Sequence, residues 1–252
     1  MTIIPTLLNL IVDIGNTQIK SGFFENNQLV RLENSTLGET EFVSGLLSRC
    51  ENAPNVIISS VRKYPEELIS RLKLACKVVL FFNSEIGTPL ENLYESKSTL
   101  GYDRLAACAG AHGLYKGKDI LVIDAGTAIT FDFVTAKAQY LGGCISPGLK
   151  MRFKALHEFT QNLPELSKNE GFNLIGKNTN DAIVSGVQNG LIFEIDSYIN
   201  KLKTIHPELR VVITGGDARF LNKKIDNKAA YHPEIVLEGL NKILEFNLLI
   251  HS

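Results

Sequence analysis

The chain has 252 residues, enough for one or two domains, with 44% hydrophobic, 21% charged and 8% aromatic residues. That is globular usage and excludes a disordered chain. Lys plus Arg number 26 against 27 Asp plus Glu, a net charge of -1, which removes the basic footprint of a general nucleic-acid binder but leaves room for small anionic ligands met by local donors.

The apolar run Ile3 to Val12 comes first. No Lys or Arg precedes it, the first being Lys20, and it runs straight into Asp13 without a small-residue cleavage pattern. It reads as a buried strand and not a signal peptide, with the strand clearest over Leu7 to Val12. No apolar run reaches the length of a membrane span. Further short apolar runs predict strands at Asn55 to Ile58, Val78 to Phe82, Ile120 to Ile123 and Val211 to Ile213. Helical periodicity appears near Glu66 to Leu74, Asp103 to Leu114, Asp181 to Leu202 and Glu234 to Leu249. Strands alternating with helices imply an α/β protein. Cys50, Cys76, Cys108 and Cys144 stand far apart with no CxxC or Cys/His spacing, which reads as buried free thiols in a reducing cytoplasm.

An internal repeat organises the chain. Leu-Ile-Val leads into Asp13-Ile-Gly-Asn-Thr17, and Leu-Val-Ile leads into Asp124-Ala-Gly-Thr127. Each is followed by a hairpin pattern: Ile19 to Phe24 turning at Glu25-Asn26-Asn27, and Ile129 to Val134 turning at Thr135-Ala136-Lys137. Val56-Ile-Ile-Ser-Ser60 resembles Val211-Val-Ile-Thr-Gly215. These landmarks lie further apart in the second half, which places an insertion between Leu141 and Arg210. The tightest boundary is Tyr115-Lys-Gly-Lys118, giving halves of residues 1–116 and 117–252. Two such halves suggest duplicated α/β domains facing a central cleft.

Asp-x-Gly after a buried strand suits phosphate. Gly lets the backbone approach closely, and successive N–H groups and a Thr hydroxyl donate to phosphate oxygens. A carboxylate beside a polyphosphate is repelled unless a cation lies between, so Asp13 and Asp124 suggest cation ligands, with Mg²⁺ the usual phosphate partner. Either motif alone also reads as a tight turn. Lys20 adds positive charge or ends its strand in solvent. Gly215-Gly216 after a strand admits a flat base or ribose, or is a plain turn. Asp103, in Gly101-Tyr-Asp-Arg104, reads locally as a helix N-cap, with general base as the functional alternative, and Arg104 suits an anionic group. Gly171 to Lys177 matches most of a P-loop, but Asn178 stands where Ser or Thr should hold Mg²⁺, and no strand precedes it. There is no GxGxxG or GxSxG motif, and no His pair at ligand spacing.

Taken together, Asp13 to Lys20, Gly101 to Arg104, Asp124 to Thr130, Gly142-Gly-Cys-Ile-Ser-Pro-Gly148 and Thr214 to Ala218 resemble the type III pantothenate kinases, within the superfamily of sugar kinases, heat-shock ATPases and actin. The resemblance spans nearly the whole chain. It implies two duplicated ribonuclease H-like (actin-like ATPase) domains, the first with the phosphate and pantothenate motifs, the second with the cation/ATP motif and the final helix. It implies ATP-dependent phosphorylation of pantothenate to 4′-phosphopantothenate, the first step of coenzyme A biosynthesis. Asp13, Ile14, Gly15, Asn16, Thr17, Gln18, Ile19 and Lys20 would cradle ATP phosphates, helped by Thr127. Asp124 would hold K⁺ or NH₄⁺, Asp103 would be the general base, and Mg²⁺ would accompany ATP. Tyr94, Gly101, Tyr102, Asp103 and Arg104 would line the pantothenate pocket, and Thr179 would close over the substrate. It also implies a homodimer in the cytoplasm, with no nucleic-acid or membrane partner. A kinase for another small alcohol, or a phosphatase using water, would keep Asp13 and Asp124. A nucleotide-binding regulator would have no need of a general base.

Overall fold

The computed structural model describes residues 8–15, 18–36, 38–48, 50, 53–60 and 63–250. The chain divides into two compact units, Met1–Leu114 with Glu234–Ser252, and Tyr115–Pro233.

The first unit is built on a five-stranded sheet of order β3-β2-β1-β4-β5. Its strands are β1 (Leu8–Ile14), β2 (Ile19–Glu25), β3 (Gln28–Ser35), β4 (Asn55–Ser60) and β5 (Val78–Phe81). β1, β2 and β3 are antiparallel neighbours, whereas β4 and β5 run parallel to β1. β1 is central, which explains its near-continuous apolar run. Leu10, Val12 and Ile14 join a core with Phe42, Val43, Leu46, Leu68 and Leu72 of helices α1 (Glu39–Leu47) and α2 (Glu66–Ala75). Strand alternation therefore turns Asn9, Ile11 and Asp13 to the opposite face. The hairpin between β2 and β3 turns through Asn26 and Asn27 at φ 50° and 64°, the left-handed pair a two-residue hairpin turn requires. A two-residue strand, β6 (Glu91–Asn92), precedes helix α3 (Tyr102–Leu114).

The second unit repeats the plan. Its strands are β7 (Ile120–Ala125), β8 (Ala128–Val134), β9 (Gln139–Pro147), β10 (Arg210–Thr214) and β11 (Ala230–Tyr231). β7 pairs antiparallel with β8 and β8 with β9, while β10 runs parallel to both β7 and β11. Leu121, Ile123 and Ala125 face the core made with helices α4 (Leu149–Glu158) and α5 (Thr179–Ile205), and a short helix α6 (Ala218–Leu221) follows β10. Asp124 thus occupies the position of Asp13, penultimate in the central strand and on the face away from these helices. α5 buries Ile183, Val184, Val187, Leu191, Ile192, Ile195 and Ile199 along one stripe. Each such side chain contributes about 1.5–3 kcal/mol of transfer free energy. The insertion expected between Leu141 and Arg210 consists of α4, an irregular stretch and α5, where the first unit has only α1.

The final helix, α7 (Ile235–Ile250), packs on α3, β1, β2 and β4 of the first unit. The sequence reading had grouped it with residues 117–252. What brings it back is close packing and polar matching. A Cβ at Gly239 would run into the Ala106 carbonyl of α3, so the helices touch backbone to backbone. Asn9 donates to Asn241 Oδ1 at 2.9 Å and to Glu245 Oε1 at 2.5 Å, and Asn241 donates to Asn27 Oδ1 at 2.9 Å. All four cysteines are free, as expected, but only Cys108 is buried: Cys50 and Cys76 are half-buried and Cys144 is exposed. No helix among the described residues is long and apolar enough to cross a membrane.

Candidate active site

In the first unit, the end of β1 presents Asp13, and the chain then turns with Gly15 N–H donating to the Gln18 carbonyl at 3.1 Å. Asn16 and Thr17 lie outside the described residues. Asp13 stands opposite Lys20 across the β1–β2 pair and beside buried Ser59 of β4, so the carboxylate and the ammonium share one face of the sheet. Ile14 and Ile19 are buried in the core, which leaves their backbone, not their side chains, for a ligand. Gln18 is exposed.

Helix α3 begins at Tyr102, so Asp103 lies one residue inside the helix and not at the cap position read from the sequence. The Gly101 carbonyl already accepts the first helical bond, from Leu105 N–H, at 3.4 Å. Asp103 Oδ1 accepts from Arg104 N–H at 2.8 Å, and carboxylates in a first helical turn are favoured by the helix dipole. Arg104 is only 7% exposed, with its guanidinium carbon 5.8 Å from the centre of the Tyr94 ring, inside cation–π range. Tyr94 N–H donates to Asn92 Oδ1 at 3.0 Å, which fixes the approach to that ring. Tyr102 packs against Phe82, with ring centres 5.2 Å apart and planes tilted by 49°, and lines a cavity of about 120 Å³ with Asn83, Thr88, Asn92, Lys97 and Leu105.

A residue absent from the sequence reading links these two motifs. Tyr64 donates to the Ile58 carbonyl at 3.0 Å and packs on Phe81. Burial, then the nearby Tyr102 and Asp13, push its hydroxyl up to about 12. Tyr64 therefore lies within electrostatic reach of both Asp13 and Tyr102. Nothing local in the sequence around Tyr64 marks it, because Asp13 and Tyr102 come from distant elements.

In the second unit, Asp124, penultimate in β7, lies beside Thr214 of β10 and opposite Thr130 of β8. Thr130 Oγ1 is buried without a hydrogen-bond partner. Gly215 has φ +96°, and a Cβ there would collide with Asp124 Oδ1. Asp217 N–H donates to the Ala125 carbonyl at 3.0 Å, joining the Gly215-Gly216 turn to the Asp124–Thr127 loop. Thr127 is exposed, and its carbonyl accepts from Gly148 N–H at 3.1 Å, so the Gly142–Gly148 motif closes on the same loop. Thr179 is the exposed first residue of α5, after an Asn178 cap that accepts from Asp181 N–H at 3.0 Å. Among the described residues no group of three or more His, Cys, Asp or Glu side chains is placed to hold a metal ion.

Known proteins resemble this chain. A family model described as type III pantothenate kinase matches residues 9–201. A type III pantothenate kinase from Bacteroides fragilis is 42% identical over 95% of this chain and 98% of its own. Among solved structures, a conserved putative Baf family transcriptional activator from Campylobacter jejuni superimposes with a TM-score of 0.63 at 25% identity, over 95% of this chain and 99% of that one. A putative 2-dehydro-3-deoxygalactonokinase from Sinorhizobium meliloti shares the fold, with a TM-score of 0.59 at 13% identity over 95% and 99% of the two chains. The duplicated ribonuclease H-like architecture is thus common to this chain and the sugar kinases.

Proposed function

The chain belongs to the type III pantothenate kinase family, which phosphorylates pantothenate with ATP in coenzyme A biosynthesis, and from that premise we propose the roles of its residues. Asp103 is the general base. It accepts the proton of the primary hydroxyl as that oxygen attacks the γ-phosphorus of ATP, and ADP leaves with the broken bond. The observation that carries this reading is the setting of Asp103 at the start of α3, its Oδ1 aligned by Arg104 N–H. Arg104, buried against Tyr94, meets an anionic group of the substrates, and Gly101 and Tyr102 complete that pocket. Thr179 closes over the acceptor.

Residues 13–20 cradle the phosphates through backbone donors, with Lys20 supplying charge on the face that carries Asp13, and Thr127 adds a hydroxyl from the second half. The residues present fit the implied cations. Asp124, with the unpartnered Thr130 hydroxyl opposite it, suits a weakly held K⁺ or NH₄⁺. Asp13, near the end of β1 and opposite Lys20, is the carboxylate that would meet Mg²⁺ brought by ATP. When bound, these cations offset charge on the phosphates. The first half, residues 1–116, supplies the phosphate and acceptor motifs. The second, without the final helix, supplies the cation motif.

The protein acts as a homodimer. Leu141 and Ile145 of β9, Met151 of α4 and Phe193 of α5 are exposed, on elements tied together by Arg152 to Glu194 and Ser146. These exposed apolar side chains on neighbouring elements supply surface for a second copy to cover. Four free thiols suit the cytoplasm. Incubating the protein with ATP, pantothenate and Mg²⁺, with and without K⁺, tests the reading. Phosphopantothenate should form and depend on K⁺. Absence of product with K⁺ present would overturn it, and product independent of K⁺ would remove the cation from Asp124.

A further inference from the structure

The irregular stretch between α4 and α5 is pinned more firmly than a surface loop requires. Asn169 N–H donates to Gln188 Oε1 at 2.7 Å, and Gln188, fully buried on α5, donates back to the Asn169 carbonyl at 3.0 Å. Asn189 donates to the Asn173 carbonyl at 3.0 Å, and Lys224 to the Glu170 carbonyl at 3.0 Å. This strap carries Lys168 to a defined place. The Lys168 ammonium lies 2.5 Å from Asp217 Oδ1 and 5.8 Å from the centre of the Phe220 ring.

Asp217 is the residue after the Gly215-Gly216 turn, and its own N–H is bonded to the Asp124–Thr127 loop. The strap therefore delivers a cation to the junction of both glycine loops of the second unit. Stability does not account for it. The side chains are 46% and 21% exposed, and exposed pairs contribute about 0–1 kcal/mol. A lone carboxylate at that junction would repel a nucleotide polyphosphate. Neutralised by an ammonium, the same carboxylate can accept a hydrogen bond from a sugar hydroxyl without that repulsion.

We propose that Asp217, held and neutralised by Lys168, accepts a hydrogen bond from the ribose hydroxyls of the nucleotide, so that the pair sets nucleotide affinity. This deepens the proposed function, which puts Thr127 on the phosphates, and rests on reading the adjoining Gly215-Gly216 turn as the place of a base or ribose. Calorimetric titration with Mg²⁺-ATP and with Mg²⁺-2′,3′-dideoxy-ATP, in the absence of pantothenate, tests it. The unaltered protein should prefer ATP by about fivefold or more, the factor one hydrogen bond carries. Asp217→Ala should bring the two nucleotides to equal affinity. Lys168→Met should weaken both by a similar factor of several. Asp217→Asn, nearly isosteric, should bind dideoxy-ATP normally and become insensitive to the Lys168→Met change. An ATP preference that survives Asp217→Ala, no preference in the unaltered protein, or wild-type affinity in Lys168→Met would each overturn the assignment. A protein that binds ATP with this pattern but forms no phosphopantothenate would overturn the proposed function alone.

Discussion

Gly215 and Asp124 exclude any side chain between them: a Cβ at position 215 would collide with Asp124 Oδ1, and the backbone there has φ +96°. Gly215→Ala therefore adds left-handed strain of about 1–2 kcal/mol and displaces the carboxylate. The expected result is a lowered melting temperature together with a loss of the K⁺ response. A variant with an intact K⁺ response would separate Asp124 from the cation.

Glycine carries a second, purely structural load at Gly239, where α7 meets the Ala106 carbonyl of α3. Gly239→Ala should cost at least about 1–3 kcal/mol in urea unfolding, since the backbones must separate. Gly190, on α5 with nothing within 4 Å of a built Cβ, is the internal contrast. Gly190→Ala should be neutral or stabilise by up to about 1 kcal/mol. Equal effects at the two positions would contradict the packing account.

Asn241 holds α7 to the first sheet through Asn9 and Asn27. Asn241→Leu leaves one N–H of the buried Asn9 amide without its partner, at about 1–3 kcal/mol, whereas Asn27, exposed at its turn, is left to water. Denaturation midpoints should fall, while turnover of the folded fraction stays near wild type.

These relationships show what could be read from sequence. The central strands β1, β4, β7 and β10 were legible because they are buried on both faces and read as unbroken apolar runs. Both hairpins followed from their turn residues. α1 and α4 were not legible. α1 contains Gly45 and has no side-chain cap, and α4 buries only Leu149 and Phe153 among charged residues. The strand-end aspartates were visible through the repeat. Tyr64 and Lys168 were not, because their partners Asp13, Tyr102 and Asp217 come from distant elements.

The Tyr64 hydroxyl gives a pH prediction with a definite sign. Its pKa is raised from 10.0 to about 12, so the neutral form is favoured in the fold. The stability this contributes is present below pH 10 and is lost as pH rises towards 12, because the unfolded chain ionises first. Ultraviolet titration of the 7 tyrosines should show Tyr64 ionising late alongside Tyr198, whose pKa is also raised, and Tyr64→Phe should remove one late component. An undiminished late component in Tyr64→Phe would contradict the assignment.

The central claim is that Asp103 takes the proton of the acceptor hydroxyl. The direct measurement is phosphopantothenate formation by Asp103→Asn beside a titration of ATP binding. Asn keeps an acceptor for Arg104 N–H, so the helix start survives while basicity is lost. The account predicts that turnover falls by about 100-fold or more with ATP affinity unchanged. Turnover near the wild-type rate would contradict it and leave Asp103 a residue of the helix start alone.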